Sequence, residues 1–335
     1  MSTYIIAEMS ANHCGDKELA KKIIAKAKEV GADAVKLQTY TADTLTIDCK
    51  NPEFKLTGGT LWDNKYLYDL YKEAYTPWEW QRELKEYADS IGIELFSTPF
   101  DNSAVDFLES INVKRYKIAA FEAIDYPLIK YTASKGKPII MSTGISSFEE
   151  IQEAIDVCKS VGNNDITILK CTSAYPAKLE DMNLNTIKDM YEKFAPQGVK
   201  IGLSDHSMSI VPPITAVALG ATVIEKHFTL DRALGGADGA FSLNPEEFAQ
   251  MVQAVRDTEK ALGSVDYTVN EQNRKFARSL YVVKDIKKGE KFTSENIRSI
   301  RPSNGLHTKF YETILGKTAK CDLKFGTPMK EEYYV

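Results

Sequence analysis

The chain alternates short apolar runs with longer stretches whose apolar residues recur at the 3.6-residue period of a helix. The first pair is the run at 4–8 and the helical pattern at 16–32. Continuous apolar runs are typical of strands that are buried on both faces of a parallel sheet. The runs are YIIAE, AVKLQ, ELFSTPF, RYKIA, PIIMSTG, ITILKCT, KIGLSDH and TVIEKHF. The pattern therefore predicts eight successive strand–helix units.

Eight such units over roughly 250 residues match the size of a (β/α)8 TIM barrel. A doubly wound open sheet is the alternative, but no GxGxxG signature follows the first strand. We therefore predict an α/β fold with a TIM barrel as the catalytic domain, over residues 1–263.

The alternation stops after Gly263. Residues 264–279 are polar with little periodicity, which predicts a linker. Residues 280–335 carry short β-like runs separated by the turn signals KKGE, SNG and KFGT. We therefore predict a small C-terminal β-rich domain, of a size that usually needs support from a neighbouring surface.

The composition of the chain limits the kinds of partner that we expect. A net charge of -5 and a pI near 5.6 provide no diffuse positive field, so we expect neither nucleic acid nor an anionic membrane as a partner. The 5 cysteines have no CxxC spacing, which is typical of reduced thiols. The first apolar run is too short for a signal sequence, and no run approaches the roughly 18 apolar residues of a membrane span. We therefore expect a soluble protein in the cytoplasm.

Polar side chains collect where the predicted strands end, which is the edge at which TIM barrels carry their active sites. In chain order these ends provide Glu8, Asn12 and His13; Lys36 and Gln38; Ser97 and Thr98; Lys117 and Glu122; Ser142 and Thr143; Lys170, Thr172, Ser173 and Tyr175; Ser204, Asp205 and His206; and Glu225 and His227. Every predicted strand therefore contributes to one polar site.

Lysines and hydroxyls among these side chains predict an anion site. Lys36, Lys117 and Lys170 would supply positive charge, and phosphate is the anion that we expect. The alternative is structural: the lysines extend along the barrel rim or pair with Glu8 and Glu225. The convergence of the whole set favours an anion site.

Two of the four histidines predict a metal site. His206 and His227 end adjacent strands, which lie roughly 5 Å apart, and Glu8 lies across the barrel mouth. Such a set can hold a divalent cation and leave positions open for water or a carbonyl. The alternative is a pair of buried structural histidines. The loop DRALGGADGAFSLNPEE adds Asp238, and we predict that Asn244 caps the last barrel helix.

Several segments resemble the successive strand-end motifs of the sialic acid synthase family, which condenses phosphoenolpyruvate with a hexose-derived aldehyde to form nonulosonic acids. They are AEMSANHCGD, ADAVKLQTY, STPFD, YKIA, STGI, CTSAYPA, GLSDHS and GATVIEKHFTLDR. KDIKKGE and RPSNG resemble the antifreeze-protein-like (SAF) domain of the same family. The resemblance covers both predicted domains and implies a transferase.

Three further segments resemble the pseudaminic acid synthase branch of that family. They are LWDNKYLYDLYKEAYTPWEW, KIAAFEAID and GGADGAFSLNPEEF. This resemblance implies phosphoenolpyruvate, 2,4-diacetamido-2,4,6-trideoxy-L-altrose and water as substrates, with pseudaminate and phosphate as products. The alternative is an N-acetylneuraminate or legionaminate synthase that uses a mannose-type sugar.

The strand ends and the resemblance together predict a role for each site residue. Glu8, Lys36, Lys117 and Asp238 are predicted to be catalytic; Gln38, Thr98, Glu122, Ser142, Tyr175, Ser204 and Arg301 to bind substrate; and His206 and His227 to hold Mn²⁺ or Mg²⁺. Arg301 would reach the sugar of a partner subunit, which implies a domain-swapped homodimer. One position departs from the family, because Ala120 stands where a serine is usual.

Two other functions fit the same strand ends. A Schiff-base aldolase needs one desolvated lysine as a covalent nucleophile and no metal. A sugar-binding protein on a barrel scaffold would bind its ligand without releasing phosphate.

Overall fold

A computed structural model of the protein describes residues 2–57, 59 and 61–335. The chain divides into two compact units, Met1–Gly263 and Ser264–Val335. Within the described residues, no helix combines the length and the apolar composition that crossing a membrane requires.

The first unit is a closed barrel of eight parallel strands in chain order. They are β1 (Tyr4–Glu8), β2 (Ala34–Thr39), β3 (Glu94–Pro99), β4 (Tyr116–Ile118), β5 (Ile139–Ser142), β6 (Ile166–Cys171), β7 (Lys200–Asp205) and β8 (Val223–His227). β1 pairs with both β2 and β8, which closes the barrel. The predicted TIM barrel is confirmed, and each strand lies on one of the eight predicted apolar runs.

Helices follow the strands as the apolar period predicts. They are α1 (Lys17–Glu29), α2 (Ala42–Leu45), α3 (Leu67–Ala74), α4 (Trp78–Ile91), α5 (Asn102–Ser110), α6 (Tyr126–Ala133), α7 (Phe148–Ser160), α8 (Asn185–Phe194), α9 (Val211–Ala218) and α10 (Pro245–Leu262). α2 and α3 lie in the long insertion after β2. α10 begins at the predicted cap, where Asn244 and Glu247 form a reciprocal capping box.

The barrel strands are buried on both faces, which explains their continuous apolar runs. Val35 and Leu37 on β2 are fully buried, and so is Leu203 on β7. Gly202 has no room for a side chain, because a Cβ atom there would lie 2.5 Å from both Leu169 Cδ2 and the Val223 carbonyl oxygen. β6, β7 and β8 therefore approach closely one layer below the polar ends of these strands.

The second unit has its own small core and an antiparallel strand pair, β9 (Ser279–Val282) and β10 (Ile297–Ile300). Two short helices, α11 (Glu271–Arg274) and α12 (Tyr311–Ile314), complete it. The run at 316–323 forms isolated bridges rather than a strand, because the chain turns at Gly316 and Gly326, both with positive φ. α11 lies inside the segment that the sequence predicts to be a linker.

Candidate active site

The C-terminal ends of the barrel strands enclose a cavity of about 60 Å³. Its lining comprises Glu8, Lys36, Gln38, Lys117, Ala119, Ala120, Ser142, Cys171, Tyr175, Ser204, His206, Glu225 and His227. These residues come from seven strands, β1, β2 and β4–β8, and from the loops that follow them. The structure therefore brings most of the predicted site residues into one buried space.

Glu8 and Lys36 face each other because β1 and β2 pair in register at these two residues. Lys36 Nζ lies 2.7 Å from Glu8 Oε2 and donates to Thr98 Oγ1 at 3.2 Å. Gln38, two residues further along β2, donates to Glu8 Oε1 at 3.2 Å. An ammonium and an amide thus hold the two oxygens of one buried carboxylate.

Glu225 is the second carboxylate of the cavity. Its Oε1 accepts from Lys117 Nζ and from Ser204 Oγ, each at 3.0 Å. Its Oε2 lies 3.9 Å from Lys36 Nζ and accepts no hydrogen bond from the described residues. The four charged groups balance formally, so an incoming anion competes with Glu225 and Glu8 for the two lysines.

Burial and the neighbouring charges shift the pKa values of these groups in different directions. Burial raises the pKa of Glu8 above its usual range, and the attraction of Lys36 only partly offsets this effect. The pKa of Glu225 is lowered: burial opposes the shift, but the charges of Lys117 and Lys36 outweigh it. Burial also lowers the pKa of Lys117. Glu8 is therefore the group best suited to hold and release a proton near neutral pH.

The two imidazole rings of the cavity lie with their centroids 5.3 Å apart. His206 Nδ1 lies 3.0 Å from the Thr172 carbonyl oxygen and donates to it, so Nε2 is the ring nitrogen left for a ligand. Burial opposes a raised pKa of His206, but the contacts with Cys171 and the Thr172 carbonyl outweigh it. His227 Nδ1 is buried and has no hydrogen-bond partner among the described residues. Burial, with the nearby positive groups, lowers the pKa of His227 well below its usual range, which keeps its ring neutral.

These features fit a divalent metal ion. Two adjacent imidazoles, one with an unpartnered nitrogen and the other fixed by a carbonyl, are suitable metal ligands. The described residues contain no group of three or more His, Cys, Asp or Glu side chains that is placed to hold a metal. Further ligands would have to be water or substrate, as in an open catalytic site rather than a closed structural one.

Aromatic rings cover the histidine pair. The ring centroid of Tyr175 lies 4.4 Å from that of His206, and Phe241 lies 4.9 Å from His227. Trp62, from the insertion after β2, contacts both Tyr175 and Phe241. Hydrocarbon faces of a sugar pack well on such rings, so this side of the cavity suits a carbohydrate.

Ser142 provides an unused hydroxyl. Its Oγ atom is buried and has no partner among the described residues, although it lines the cavity. Ala120 also lines the cavity and offers no side-chain donor at this wall. Ser142 is therefore an available donor for a bound anion.

Four predicted site residues lie outside the cavity lining. Thr98, on β3, is fully buried and accepts from Lys36 Nζ. Asp238 is buried and accepts from Ser10 Oγ, and burial raises its pKa. Glu122 is largely buried, and burial raises its pKa to about 7. Arg301 lies in the second unit, one residue after β10, with an exposed side chain. The roles assigned to these four residues remain predictions.

Two expectations from the sequence need correction. Lys170 does not line the cavity, because its Nζ donates to Thr172 Oγ1 at 2.8 Å and to the Cys171 carbonyl oxygen at 3.0 Å. Asp205, in the SDHS segment at the end of β7, does not line it either, because it pairs with Lys226 on the other face of the sheet. The anion site therefore has two lysines among its described lining residues.

Neither Glu225, Cys171 nor Phe241 was predicted to be a site residue. Glu225 was named at a strand end and as a possible structural partner of the lysines, and the structure confirms that pairing. Glu225 carried a usable signal, since it precedes His227 by two residues and side chains two apart on a strand share a face. Cys171 Sγ lies 3.9 Å from His206 Nδ1. Phe241 follows the glycine-rich loop, and nothing local in the sequence distinguishes it from a core residue.

Comparisons with known proteins match both units of the chain. The model of the NeuB family matches residues 23–267, and that of the SAF domain matches residues 277–332. The chain is 50% identical over 331 residues to the pseudaminic acid synthase of Campylobacter jejuni subsp. jejuni serotype O:2, covering 98% of this chain and 95% of that protein. It is 37% identical over 342 residues to the N,N'-diacetyllegionaminic acid synthase of Legionella pneumophila, covering 99% and 95% of the two chains.

A solved structure supports the same relationship. The N-acetylneuraminic acid (sialic acid) synthetase of Leptospira borgpetersenii, crystallised with citrate, superposes with a TM-score of 0.72 at 32% identity. The match covers 82% of this chain and 90% of that one.

Proposed function

The chain belongs to the NeuB family, and from this premise we propose that it catalyses the pseudaminic acid synthase reaction. In this reaction phosphoenolpyruvate, 2,4-diacetamido-2,4,6-trideoxy-L-altrose and water give pseudaminate and phosphate. The identity to a pseudaminic acid synthase, 50% against 37% for a legionaminic acid synthase, supports this sugar over a mannose-type sugar.

One observation of the site carries the reaction type: two buried lysines and two adjacent imidazoles share a single cavity. The lysines suit the phosphate and carboxylate of phosphoenolpyruvate, and the hydroxyls of Ser142 and Ser204 add neutral donors. The aromatic side of the cavity suits the sugar. The arrangement can therefore hold both substrates with their reacting carbons together, which is a large share of the catalysis of a condensation.

The residues of the chain act at defined atoms in this proposal. C3 of phosphoenolpyruvate attacks the aldehyde carbon, and the Glu8 carboxyl, whose pKa is raised by burial, gives its proton to the aldehyde oxygen. Positive charge develops at C2, and the Glu8 carboxylate or Asp238 takes a proton from the water that adds there. The C2–O bond then breaks, and the hydroxyl proton leaves with the phosphate, whose charge Lys36 and Lys117 stabilise.

We propose that His206 and His227 hold Mn²⁺ or Mg²⁺. When bound, such an ion supplies Lewis-acid polarisation of the aldehyde oxygen. EDTA should abolish phosphate release, and Mn²⁺ or Mg²⁺ should restore it. His227→Ala should weaken Mn²⁺ binding measured by calorimetry, whereas the control His307→Ala, in the second unit, should not. Equal Mn²⁺ affinity in both variants would contradict the assignment.

We also propose that the second unit acts in trans in a homodimer, with Arg301 contacting the sugar bound by the partner's barrel. Mixing an Arg301→Ala protein with a Lys117→Met protein should then recover part of the activity, because one pairing contains an intact barrel and an intact arginine. Absence of recovery, with mixed dimers verified by tagged subunits, would argue against action in trans.

The reaction is tested by measuring phosphate release with phosphoenolpyruvate and each candidate sugar. The altrose-configured sugar should have the higher kcat/KM, and a preference for a mannose-type sugar would replace the proposal with its alternative. In ¹⁸O-labelled water the released phosphate should carry no label, because the C–O bond breaks. Label in the phosphate would contradict the mechanism, and borohydride trapping of a lysine adduct would favour the aldolase.

A further inference from the structure

The connection from β1 to α1, residues 9–16, packs tightly against the glycine-rich connection from β8 to α10, residues 228–244. The two connections lie close together at Gly236, whose φ is +88°. A Cβ atom at this position would lie 3.1 Å from Cys14 Sγ and 3.3 Å from the Ala11 carbonyl oxygen. A glycine is therefore needed for the two connections to meet.

Ser10 makes the central contact between them. Its Oγ donates to Asp238 Oδ2, and both side chains are almost completely shielded from water. The backbone N–H of Ala11 also contacts the Asp238 carboxylate. Ser10 has φ 45°, a left-handed conformation that non-glycine residues rarely adopt and that tends to occur at functional sites. The strained residue is thus the one that delivers a hydroxyl to Asp238.

Asn12 fixes both ends of the glycine-rich connection. Its side-chain amide donates to the Phe228 carbonyl oxygen at 2.9 Å and to Ser242 Oγ at 2.8 Å. Ser242 Oγ in turn donates to the carbonyl oxygen of Asp238 at 2.7 Å. The backbone of Asp238 is therefore tied to the same connection that holds its carboxylate.

A third support comes from the insertion after β2. Trp62 Nε1 donates to the carbonyl oxygen of Ala237 at 3.1 Å, next to Asp238. The same indole ring contacts Tyr175, which lines the cavity. The position of Asp238 is thereby coupled to the aromatic side of the cavity, where the sugar is expected.

We propose that Ser10 is a positioning residue of the synthase reaction: its hydroxyl fixes the orientation of the Asp238 carboxylate, while Asn12 fixes the connection that carries Asp238. This inference rests on the proposed function, because the role belongs to that reaction. A purely structural role of Ser10 is the competing explanation. The two differ in whether removal of the hydroxyl acts through Asp238.

Ser10→Gly separates the two explanations, because glycine removes the hydroxyl and at the same time relieves the left-handed strain. We expect kcat/KM for the sugar to fall about 10- to 100-fold, the range for losing a hydrogen bond to a charged group. KM for phosphoenolpyruvate should change less than about twofold. The matched control is Asn112→Gly, at an exposed residue with φ 56°, which should keep both parameters.

A double-mutant cycle tests the route of the effect. If Ser10 acts through Asp238, Ser10→Gly in an Asp238→Asn background should lower kcat/KM less than about threefold further, because coupled residues are not additive. Full additivity of the two losses would overturn the proposal. So would a Ser10→Gly protein with unchanged kcat/KM for the sugar.

A crystal structure of Ser10→Gly provides a readout that does not depend on turnover. We expect the Asp238 carboxylate to leave its present orientation while the barrel strands stay unchanged. An unmoved carboxylate would overturn the positioning role, whatever the substrate is. Absence of phosphate release by the unmutated protein would instead overturn the proposed function, so the two failures are distinguishable.

Discussion

Both faces of β8 carry buried contacts between a lysine and a carboxylate. The two faces differ in how many of these hydrogen-bonding groups have a partner. On one face, Lys226 Nζ donates to Asp205 and to the carbonyl oxygens of Ser207 and Ser209. On the other face, Glu225 accepts from Lys117 and Ser204 through one oxygen only. The first network uses all the donors of an ammonium, whereas the second leaves capacity for a ligand.

The difference teaches how to separate structural polar groups from functional ones in this barrel. Buried polar atoms are normally paired, so those without partners need an explanation. Among the described residues, the cavity contains Glu225 Oε2, Ser142 Oγ and His227 Nδ1 without hydrogen-bond partners. An incomplete network beside two buried lysines is what a binding site for an anion and a metal requires.

The largest expected effect on activity is at the cavity face of β8, where Glu225 Oε2 accepts no hydrogen bond from the described residues. Lys117→Met should lower kcat/KM by about 10³-fold, because the phosphate and carboxylate lose a preorganised cation. The fold should survive, since Glu225 keeps its contact with Ser204 and lies 3.9 Å from Lys36. Steady-state phosphate release and thermal unfolding measure the two quantities. Turnover within tenfold of the unmutated protein would show that Lys117 is structural.

The face of β8 that carries Lys226 should show the opposite pattern, a loss of stability with substrate binding retained. Lys226→Met should lower the free energy of unfolding by about 3–5 kcal/mol, because it leaves a buried Asp205 carboxylate without its cation. The folded fraction should keep KM for phosphoenolpyruvate. Urea unfolding and kinetics on the same preparation measure both. A stable Lys226→Met protein without activity would reverse the comparison.

A smaller effect, on stability, is expected at His13. This buried histidine has a hydrogen-bond partner, whereas His227 Nδ1 has none among the described residues. His13 Nε2 lies 3.0 Å from Thr76 Oγ1, and burial lowers the pKa of His13 to about 4. The unfolded chain binds this proton near pH 6.5, so the free energy of unfolding should fall between about pH 6.5 and 4, by roughly 2–3 kcal/mol. His13→Gln should remove this part of the dependence, measured by urea unfolding at pH 7 and 5. An unchanged slope would mean that other groups cause it.

The smallest expected effect is at the lysine that the structure excludes from the cavity. Lys170→Met should change kcat/KM for phosphoenolpyruvate less than about threefold, because the Lys170 ammonium is held by Thr172 and the Cys171 carbonyl oxygen. A loss as large as that of Lys117→Met would place a third cation at the anion site and narrow the difference between the two regions.

Much of the site could be read from strand ends, but not its internal pairing. The sequence placed Lys36, His206 and His227 at neighbouring strand ends, and the structure places them in one cavity. Pairing of the lysines with Glu8 and Glu225 was only a structural alternative to the anion site, whereas in the structure both pairs line the cavity.

A position near a strand end also predicted site residues that do not line the cavity. Asp238 and Glu122 follow strands and Lys170 lies near the end of β6, yet none of the three lines the cavity. A connection can turn a side chain away from the barrel axis, and its direction depends on contacts with other connections. Ser10 and Asn12, which hold the Asp238 connection, are distant from it in sequence and give no joint signal there.

The sequence by itself determined the eight strand–helix units, the small second domain and, through its motifs, the family; all three are confirmed. These features depend on local periodicity and on residue order, which a sequence contains. Only the tertiary structure decided which face of each strand points into the cavity and which lysine meets which carboxylate. Because barrel strands are buried on both sides, polar residues of either face interrupt the same apolar run, and barrel closure and register alone assign their direction.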